Sequence, residues 1–356
     1  MDETQKDRQL LLNQIRKEFG DTSMFLLGDT NKLDVEVRSS GSLMLDLALG
    51  GGYPKGRVVE LRGSEKAGKT TLLNLAIAEA QRTEPEKENA IIDLENTWIP
   101  AWAKTLGMDP TKLFISQPDT YAEKVFQLLE HLIKSGKYAI IGLDSVAGLV
   151  PKGEFEEEDW DKESRVGGTS KINAKAMRKL VNSGLLTASG TTLIFINQLR
   201  DKIGGFSMYG QPTDTVGGRS LKHAYSMQLD VSIGEYFKKG TGDATTFLGQ
   251  KTKVKVAKNK IAPPFRTANL DLYYESGLDR IKESIQIAKE IGILSGTSWL
   301  TLVNPMTGEI YQDEEGKDLK WQGVDKTRLA MIDDIQNNEA KIYTILFDLI
   351  QEMIRG

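Results

Sequence analysis

The chain has 356 residues, a formal net charge of −4, 39% hydrophobic and 27% charged residues. This is ordinary for a soluble globular protein of one large domain plus a smaller one, and it argues against a surface that is basic throughout while leaving a local basic groove open. The absence of cysteine excludes disulfides and thiolate metal sites, the charged start Met1–Asp7 carries no secretory signal, and no apolar run approaches a membrane span. The cytoplasm is the expected location.

Residues 5–19 read as an amphipathic helix, with Leu11, Ile15 and Phe19 recurring on one face and Gly20 stopping it. Met24-Phe25-Leu26-Leu27 reads as a short strand. A helix and strand in this position are either a lid over the following core or an arm for a neighbouring subunit.

Gly63-Ser64-Glu65-Lys66-Ala67-Gly68-Lys69-Thr70 fits G-x-x-x-x-G-K-[ST], the phosphate-binding loop of nucleotide hydrolases. An apolar strand, Val58–Leu61, precedes it and a helix-compatible run from Thr71 follows. Glycines let backbone N–H groups close around phosphate oxygens, and the helix N-terminus adds a positive dipole end. Residues 63–70 and Thr71 are the expected nucleotide contacts. Lys69 would reach the β/γ-phosphates, and Thr70 would hold Mg²⁺.

Beyond the loop, strands and helices alternate. Strands are expected at 57–62, 89–94, 138–143, 191–196, 227–233, 252–257 and 268–274, and helices at 69–82, 99–106, 121–135 and 170–187. The alternation predicts an α/β fold with a mostly parallel twisted sheet. Ligands of such sheets sit beyond the carboxyl ends of the strands. Glu95, Asp144 and Gln198 each close a predicted strand. Asp144 looks like the carboxylate that supports Mg²⁺, Glu95 like a base that polarises the attacking water, and Gln198 like a γ-phosphate sensor. Helix capping is the plain alternative for either carboxylate. The two histidines, His131 and His223, are too far apart for a His-based triad or zinc site.

Residues 199–218 form a long Gly-rich stretch with Phe206 and Tyr209 inside, Arg200 and Lys202 at its start, and Arg219 and Lys222 after it. Cations, glycines and aromatics together suit single-stranded nucleic acid, and a disordered insertion is the alternative. The stretch 152–168 is acidic in its middle, but its exit carries Arg165 and Lys171 and leads into a helix with Lys175, Arg178 and Lys179. Lys258 and Lys260 point to one side of an extended chain, where they would either neutralise a triphosphate or form a solvated face. Past residue 276 a helix at 282–293, a polar hairpin-like section and a final helix at about 325–354 suggest a small α+β domain.

In this order the motifs resemble the RecA family of homologous-recombination ATPases. The likeness is carried by Ser39–Gly50, the phosphate loop, Ser116–Thr120, Asp144–Ala147, Ala176–Leu180, Ile194–Gln198 and Val254–Phe265. It implies a RecA-like core at 35–275, an N-terminal oligomerisation arm at 1–34 and a small C-terminal domain at 276–356. It also implies DNA-stimulated ATP hydrolysis and a helical filament on single-stranded DNA that pairs with double-stranded DNA, with ATP between protomers. Glu95 matches the catalytic glutamate, Gln198 the residue coupling the γ-phosphate to the DNA loop, and Lys258 and Lys260 the cations reaching ATP across the boundary. Lys171, Arg178, Arg200, Lys202, Gly217 and Gly218 match DNA-contacting positions, and Arg219 adjoins them.

The chain departs from the family in three places. Ile99 and Trp102 stand where the family often has an acid and a tyrosine around adenine, and His223 stands where it usually has a phenylalanine. No acidic tail closes the chain. Trp102 keeps the capacity to stack. A ring-forming helicase on the same core and a non-catalytic DNA-binding mediator are the rival readings.

Overall fold

The computed structural model describes residues 3–19, 35–158, 168–201, 213–215, 219–240, 245–337 and 340–355. The chain divides into two compact units, Met1–Glu36 and Val37–Gly356. In the first, α1 (Glu3–Phe19) is the amphipathic helix expected from the spacing of its apolar residues. The strand expected at Met24–Leu27 lies outside the described residues.

The second unit begins with β1 (Val37–Arg38), α2 (Leu43–Leu49), β2 (Tyr53–Pro54), β3 (Val58–Gly63), α3 (Lys69–Thr83), β4 (Glu88–Asp93), α4 (Pro100–Thr105), β5 (Leu113–Ser116), α5 (Ala122–Lys134) and β6 (Tyr138–Asp144). It continues through α6 (Lys152–Phe155), α7 (Gly168–Met177), α8 (Leu185–Ser189), β7 (Thr192–Asp201), β8 (Thr213–Thr215), α9 (Arg219–Ala224), β9 (Met227–Lys239), β10 (Thr246–Asn259), β11 (Thr267–Tyr273) and β12 (Gly277–Leu278). The last part comprises α10 (Arg280–Glu290), β13 (Leu294–Ser295), β14 (Trp299–Leu302), β15 (Lys320–Gln322), α11 (Gly323–Asn337) and α12 (Lys341–Arg355).

One large sheet runs β12-β11-β10-β9-β3-β7-β6-β4-β5. From β9 through β5 every neighbouring pair is parallel, and from β9 to β12 the pairs are antiparallel. The sequence explains the change. β6 and the first half of β7 are near-continuous apolar runs, because helices cover both faces of a parallel sheet. In β10, buried Thr252, Val254 and Val256 alternate with exposed Lys253 and Lys255, the signature of a strand covered on one face.

Two apolar layers flank the sheet. On one face Leu72, Leu73, Ala76 and Ile77 of α3 pack with Val59, Leu61, Ile140 and Ile194. On the other, Val125, Phe126 and Leu129 of α5, Met177 and Leu221 pack with Val58, Ile141, Phe195 and Tyr225. Burying each Leu or Ile side chain contributes about 1.5–3 kcal/mol. Gly142 shows how closely the layers fit, since a Cβ there would lie 2.5 Å from Leu73. A third cluster joins α10, α11 and α12 to the small antiparallel sheet β13-β14-β15 through Ile285, Ile287, Leu300, Leu302, Met331 and Ile350, with Leu43, Met44 and Leu47 of α2 packed against it.

Several expectations need correction. The helix at 170–187 is α7, a π-turn at Arg178–Asn182 and then α8, because Gly184 takes a left-handed φ of 77° that ends the first segment. The final helix at 325–354 is two helices, with Ala340 at φ 59° before the second. The stretch after Gln198 is not irregular from its start. β7 runs on to Asp201 and its end pairs antiparallel with β8, Arg200 opposite Asp214. Gln198 therefore sits within a strand. β5 was not expected, and β9 and β10 are longer than the runs 227–233 and 252–257.

Candidate nucleotide and DNA sites

β3 delivers the phosphate loop. Its last residue, Gly63, lies so close to β9 that a Cβ would meet the Val231 carbonyl at 2.0 Å. Gly68 takes φ 103° and caps α3, whose first residue is Lys69. Only glycine adopts that φ at little cost, and it leaves N–H groups bare at the helix start. The Lys69 ammonium is nearly buried and donates to the carbonyls of Ser64 at 2.6 Å and Gly63 at 3.1 Å. Burial lowers its pKa, against the opposing charges of Asp144, Glu95 and Glu65. A loop with bare N–H groups, a partly dehydrated cation and exposed Ser64, Glu65 and Lys66 fits a polyphosphate.

The tips of four adjacent strands converge beside it. Thr70 donates to Asp144 Oδ2 at 2.8 Å, so the two residues expected to hold Mg²⁺ are in contact. Burial pushes the Asp144 carboxyl up to about 6, with the Glu95 and Asp93 charges adding and the Thr70 hydrogen bond subtracting. Glu95 accepts a hydrogen bond from Ser145 and another from the Gln198 amide at 3.2 Å. Glu95, Gln198, Asp144 and Thr70 thus form one neighbourhood around Lys69, although they stand on β7, on α3 and at the ends of β4 and β6. Among the described residues no cluster of three or more His, Cys, Asp or Glu could hold a metal alone. Thr70 and Asp144 would be completed by phosphate oxygens.

Of the two residues expected around a base, the Trp102 indole donates to Thr71 at 3.2 Å, and Ile99 is 61% exposed. Three contributors escaped sequence reading. The carboxylate of buried Asp93 accepts from the backbone of Glu95, Thr97 and Trp98 and from Gln117, which fixes the turn carrying Glu95. Half-exposed Tyr274 bonds Gln250, whose amide donates to the Lys66 carbonyl, so the tyrosine stands next to the loop. Ser145, directly after Asp144, holds Glu95. A serine following a strand-end aspartate was the one visible signal.

Lys258 and Lys260 lie elsewhere. β10 runs antiparallel to β9, and the pairing Asn259–Met227–Val59 puts them beside the start of β3, at the opposite edge from Gly63. Lys258 donates to the Lys222 carbonyl at 2.7 Å and Lys260 to that of His223 at 3.4 Å. Burial lowers the Lys258 pKa, and Lys260 lowers it further. A single protomer does not bring Lys69 and this pair to one triphosphate.

Of the DNA candidates, Lys171 and Arg178 are exposed about two helical turns apart, with Lys175 between them. None of the three has an ion-pair partner among the described residues, whereas Lys179 is tied to Glu130 at 3.1 Å. Arg200 stands on β7 and Arg219 opens α9. Lys202, Gly217 and Gly218 lie outside the described residues. No described helix is long and apolar enough to cross a membrane.

Residues 6–279 match the family model described as the RecA N-terminal domain. The chain is 42% identical to Protein RecA of Arthrospira platensis over 308 residues, 86% of this chain and 81% of that one. It is 43% identical to Protein RecA of Chloroherpeton thalassium over 310 residues, 86% and 83% of the two chains. It is 42% identical to the chromosomal Protein RecA of Lactococcus lactis over 346 residues, 96% and 81% of the two chains. Likeness of this extent, over a core whose strand tips gather around a phosphate loop, places the chain in the RecA family.

Proposed function

We infer that this RecA-family chain, an ATP-dependent DNA recombinase and DNA-dependent ATPase, binds ATP with Mg²⁺ at residues 63–71 and hydrolyses it between protomers of a filament on single-stranded DNA. Residues 1–34 are the arm that joins neighbours, 35–275 the motor and 276–356 the accessory domain. The observation that carries the mechanism is the continuous contact set Gln198–Glu95–Ser145, with Thr70–Asp144 beside it and Lys69 between.

Lys69 leaves the neutral carbonyls of Gly63 and Ser64 for the charged oxygens of the β- and γ-phosphates, exchanging dipole partners for anionic ones. Glu95, held by the turn that Asp93 fixes, orients water for in-line attack and takes its proton. Mg²⁺, seated by Thr70 and Asp144, would neutralise charge on the phosphate oxygens. Gln198 gives up Glu95 for the γ-phosphate and carries that change along β7 toward β8 and the DNA loop. Lys258 and Lys260 of one copy complete the site of the next, a role supported by their position at the edge opposite Lys69 within one copy. Trp102 stacks on the base, and exposed Ile99 in place of an acid weakens selection for adenine. Lys171, Arg178, Arg200, Lys202 and Arg219, with Gly217 and Gly218, hold the DNA backbone, so that base pairing alone reads sequence.

Phosphate release with and without single-stranded DNA, together with microscopy on a slowly hydrolysed ATP analogue, tests this reading. DNA-stimulated turnover and helical filaments are expected. Closed rings would favour a helicase, and indifference of DNA binding to nucleotide would remove the reading.

A further inference from the structure

Glu60 is a carboxylate in the middle of β3 with no exposed surface. An isolated ionised carboxylate there would cost several kcal/mol, so its surroundings carry information. Asn197 of β7 donates to one oxygen at 2.8 Å, and Gln228 of β9 donates to the other at 2.7 Å. Arg62 approaches to 4.0 Å but is committed to Asp230 at 2.6 Å. Burial raises the Glu60 pKa, while the two amides and the charges of Arg62 and Lys222 oppose that shift. Glu60 also acts on Lys258 and on buried Tyr225, whose phenol is pushed up first by burial and then by the Glu60 charge.

The two amides lead in opposite directions. The Asn197 side chain, oriented by giving its NH₂ to Glu60, uses its oxygen to accept from the Gln198 N–H at 3.0 Å. Gln198 in turn reaches Glu95. On the other side, Gln228 of β9 lies in register between Glu60 of β3 and Lys258 of β10, and the Lys258 ammonium donates to the Lys222 backbone carbonyl at 2.7 Å. Polar groups therefore extend across the interior from the phosphate-sensing strand to the cation edge, and Glu60 is where the two branches meet.

We propose that Glu60 is a positioning residue that ties the Gln198 side of the sheet to the Lys222–Lys258 side, coupling the two edges through which one protomer serves two nucleotide sites. This rests on the functional reading above. Glu60 touches neither substrate nor DNA; it acts through Asn197 and Gln228. The amides make the arrangement directional. Turning Asn197 over would present an NH₂ to the Gln198 N–H, so only an acceptor at position 60 keeps both bonds.

The test compares Glu60→Gln with the triple variant Glu60→Leu/Asn197→Leu/Gln228→Leu. In Glu60→Gln the Gln228 amide can rotate to keep a hydrogen bond, but the charge facing Lys222 and Lys258 is lost. The ratio of DNA-stimulated to DNA-free kcat is expected to fall roughly 2–30-fold, the span of coupling losses of about 0.5–2 kcal/mol, with KM for ATP moving less than about twofold. The triple variant removes the carboxylate together with both amides that donate to it, at the cost of the Asn197 oxygen that accepts from the Gln198 N–H, and lets an apolar cluster fill the space, so it is expected to fold, as followed by its thermal midpoint, yet to lose DNA stimulation. A folded triple variant stimulated like the wild type would overturn the proposal. So would a Glu60→Gln that lost kcat equally with and without DNA, which marks general damage. If the unaltered chain showed no DNA stimulation, the functional reading itself would fall.

Discussion

The two halves of the central sheet use the same backbone hydrogen bonding to opposite ends. In the parallel half every strand finishes at one edge, and Thr70, Glu95, Asp144 and Gln198 meet there within hydrogen-bond reach. In the antiparallel half the chain reverses at each turn, so β10 brings Lys258 and Lys260 back to the opposite edge. The first half builds a site that is nearly complete within one copy. The second builds a fragment whose cations rest on the carbonyls of Lys222 and His223. Strand direction decides at which edge of the sheet each set of residues lies.

The largest expected effect tests the parallel half. Lys69→Ala should lower kcat/KM for ATP at least about 100-fold, because the buried cation at the start of α3 is gone; near-normal phosphate release would misplace the site. Glu95→Gln should keep nucleotide binding while kcat falls about 100- to 1000-fold, read by single-turnover hydrolysis beside a binding titration. The antiparallel half is tested by mixing. Lys258→Ala/Lys260→Ala chains and Lys69→Ala chains should each be inactive alone, but an equal mixture should recover up to about a quarter of wild-type hydrolysis, since each junction draws its two halves independently. No recovery would mean that both sets of residues act within one copy.

Smaller effects sharpen the picture. Asp46 is buried between Ser39 and Ser40 near Glu283, and burial first of all pushes its carboxyl up to about 7 from 3.8. Between these values the unfolded chain has released the proton and the folded chain still holds it. Stability should therefore fall as pH rises from about 4 to 7, by on the order of 2–4 kcal/mol, and then level off. Urea midpoints across this range should slope in the wild type and flatten in Asp46→Asn. The smallest effect concerns DNA. Neutralising Lys171 and Arg178 should reduce the slope of log affinity against log salt by roughly 0.7 per lost contact on single strands. An unchanged slope would place the DNA elsewhere.

The phosphate loop and the strand-end residues were legible in the sequence because each is a local signal: glycines at fixed offsets, or a polar residue closing an apolar run. The mostly parallel sheet was legible for the same reason. Three kinds of feature were not. Helix breaks at Gly184 and Ala340 depend on a single residue taking a left-handed φ inside a helix-compatible run. The β7–β8 pairing joins polar residues that have no strand pattern of their own. Tyr274 and Glu60 matter only through partners far along the chain, Glu60 and Gln228 lying 168 residues apart, and Asp93 acts through the backbone of an irregular turn that has no periodic pattern. A buried charge inside an apolar strand is nonetheless a visible conflict. Val58-Val59-Glu60-Leu61 could have been flagged for it.

Placing the loop and its completing lysines at opposite edges has an arithmetic consequence. On the proposed reading, a copy that lends its lysines forward and borrows from behind cannot pair with itself face to face, so assembly would be head-to-tail, and in the proposed filament the row stays open-ended. A row of n such copies holds only n − 1 finished junctions, and one terminal protomer always carries a half-built pocket. Turnover per chain should therefore rise with the length of the row, steeply for short oligomers and then toward a plateau.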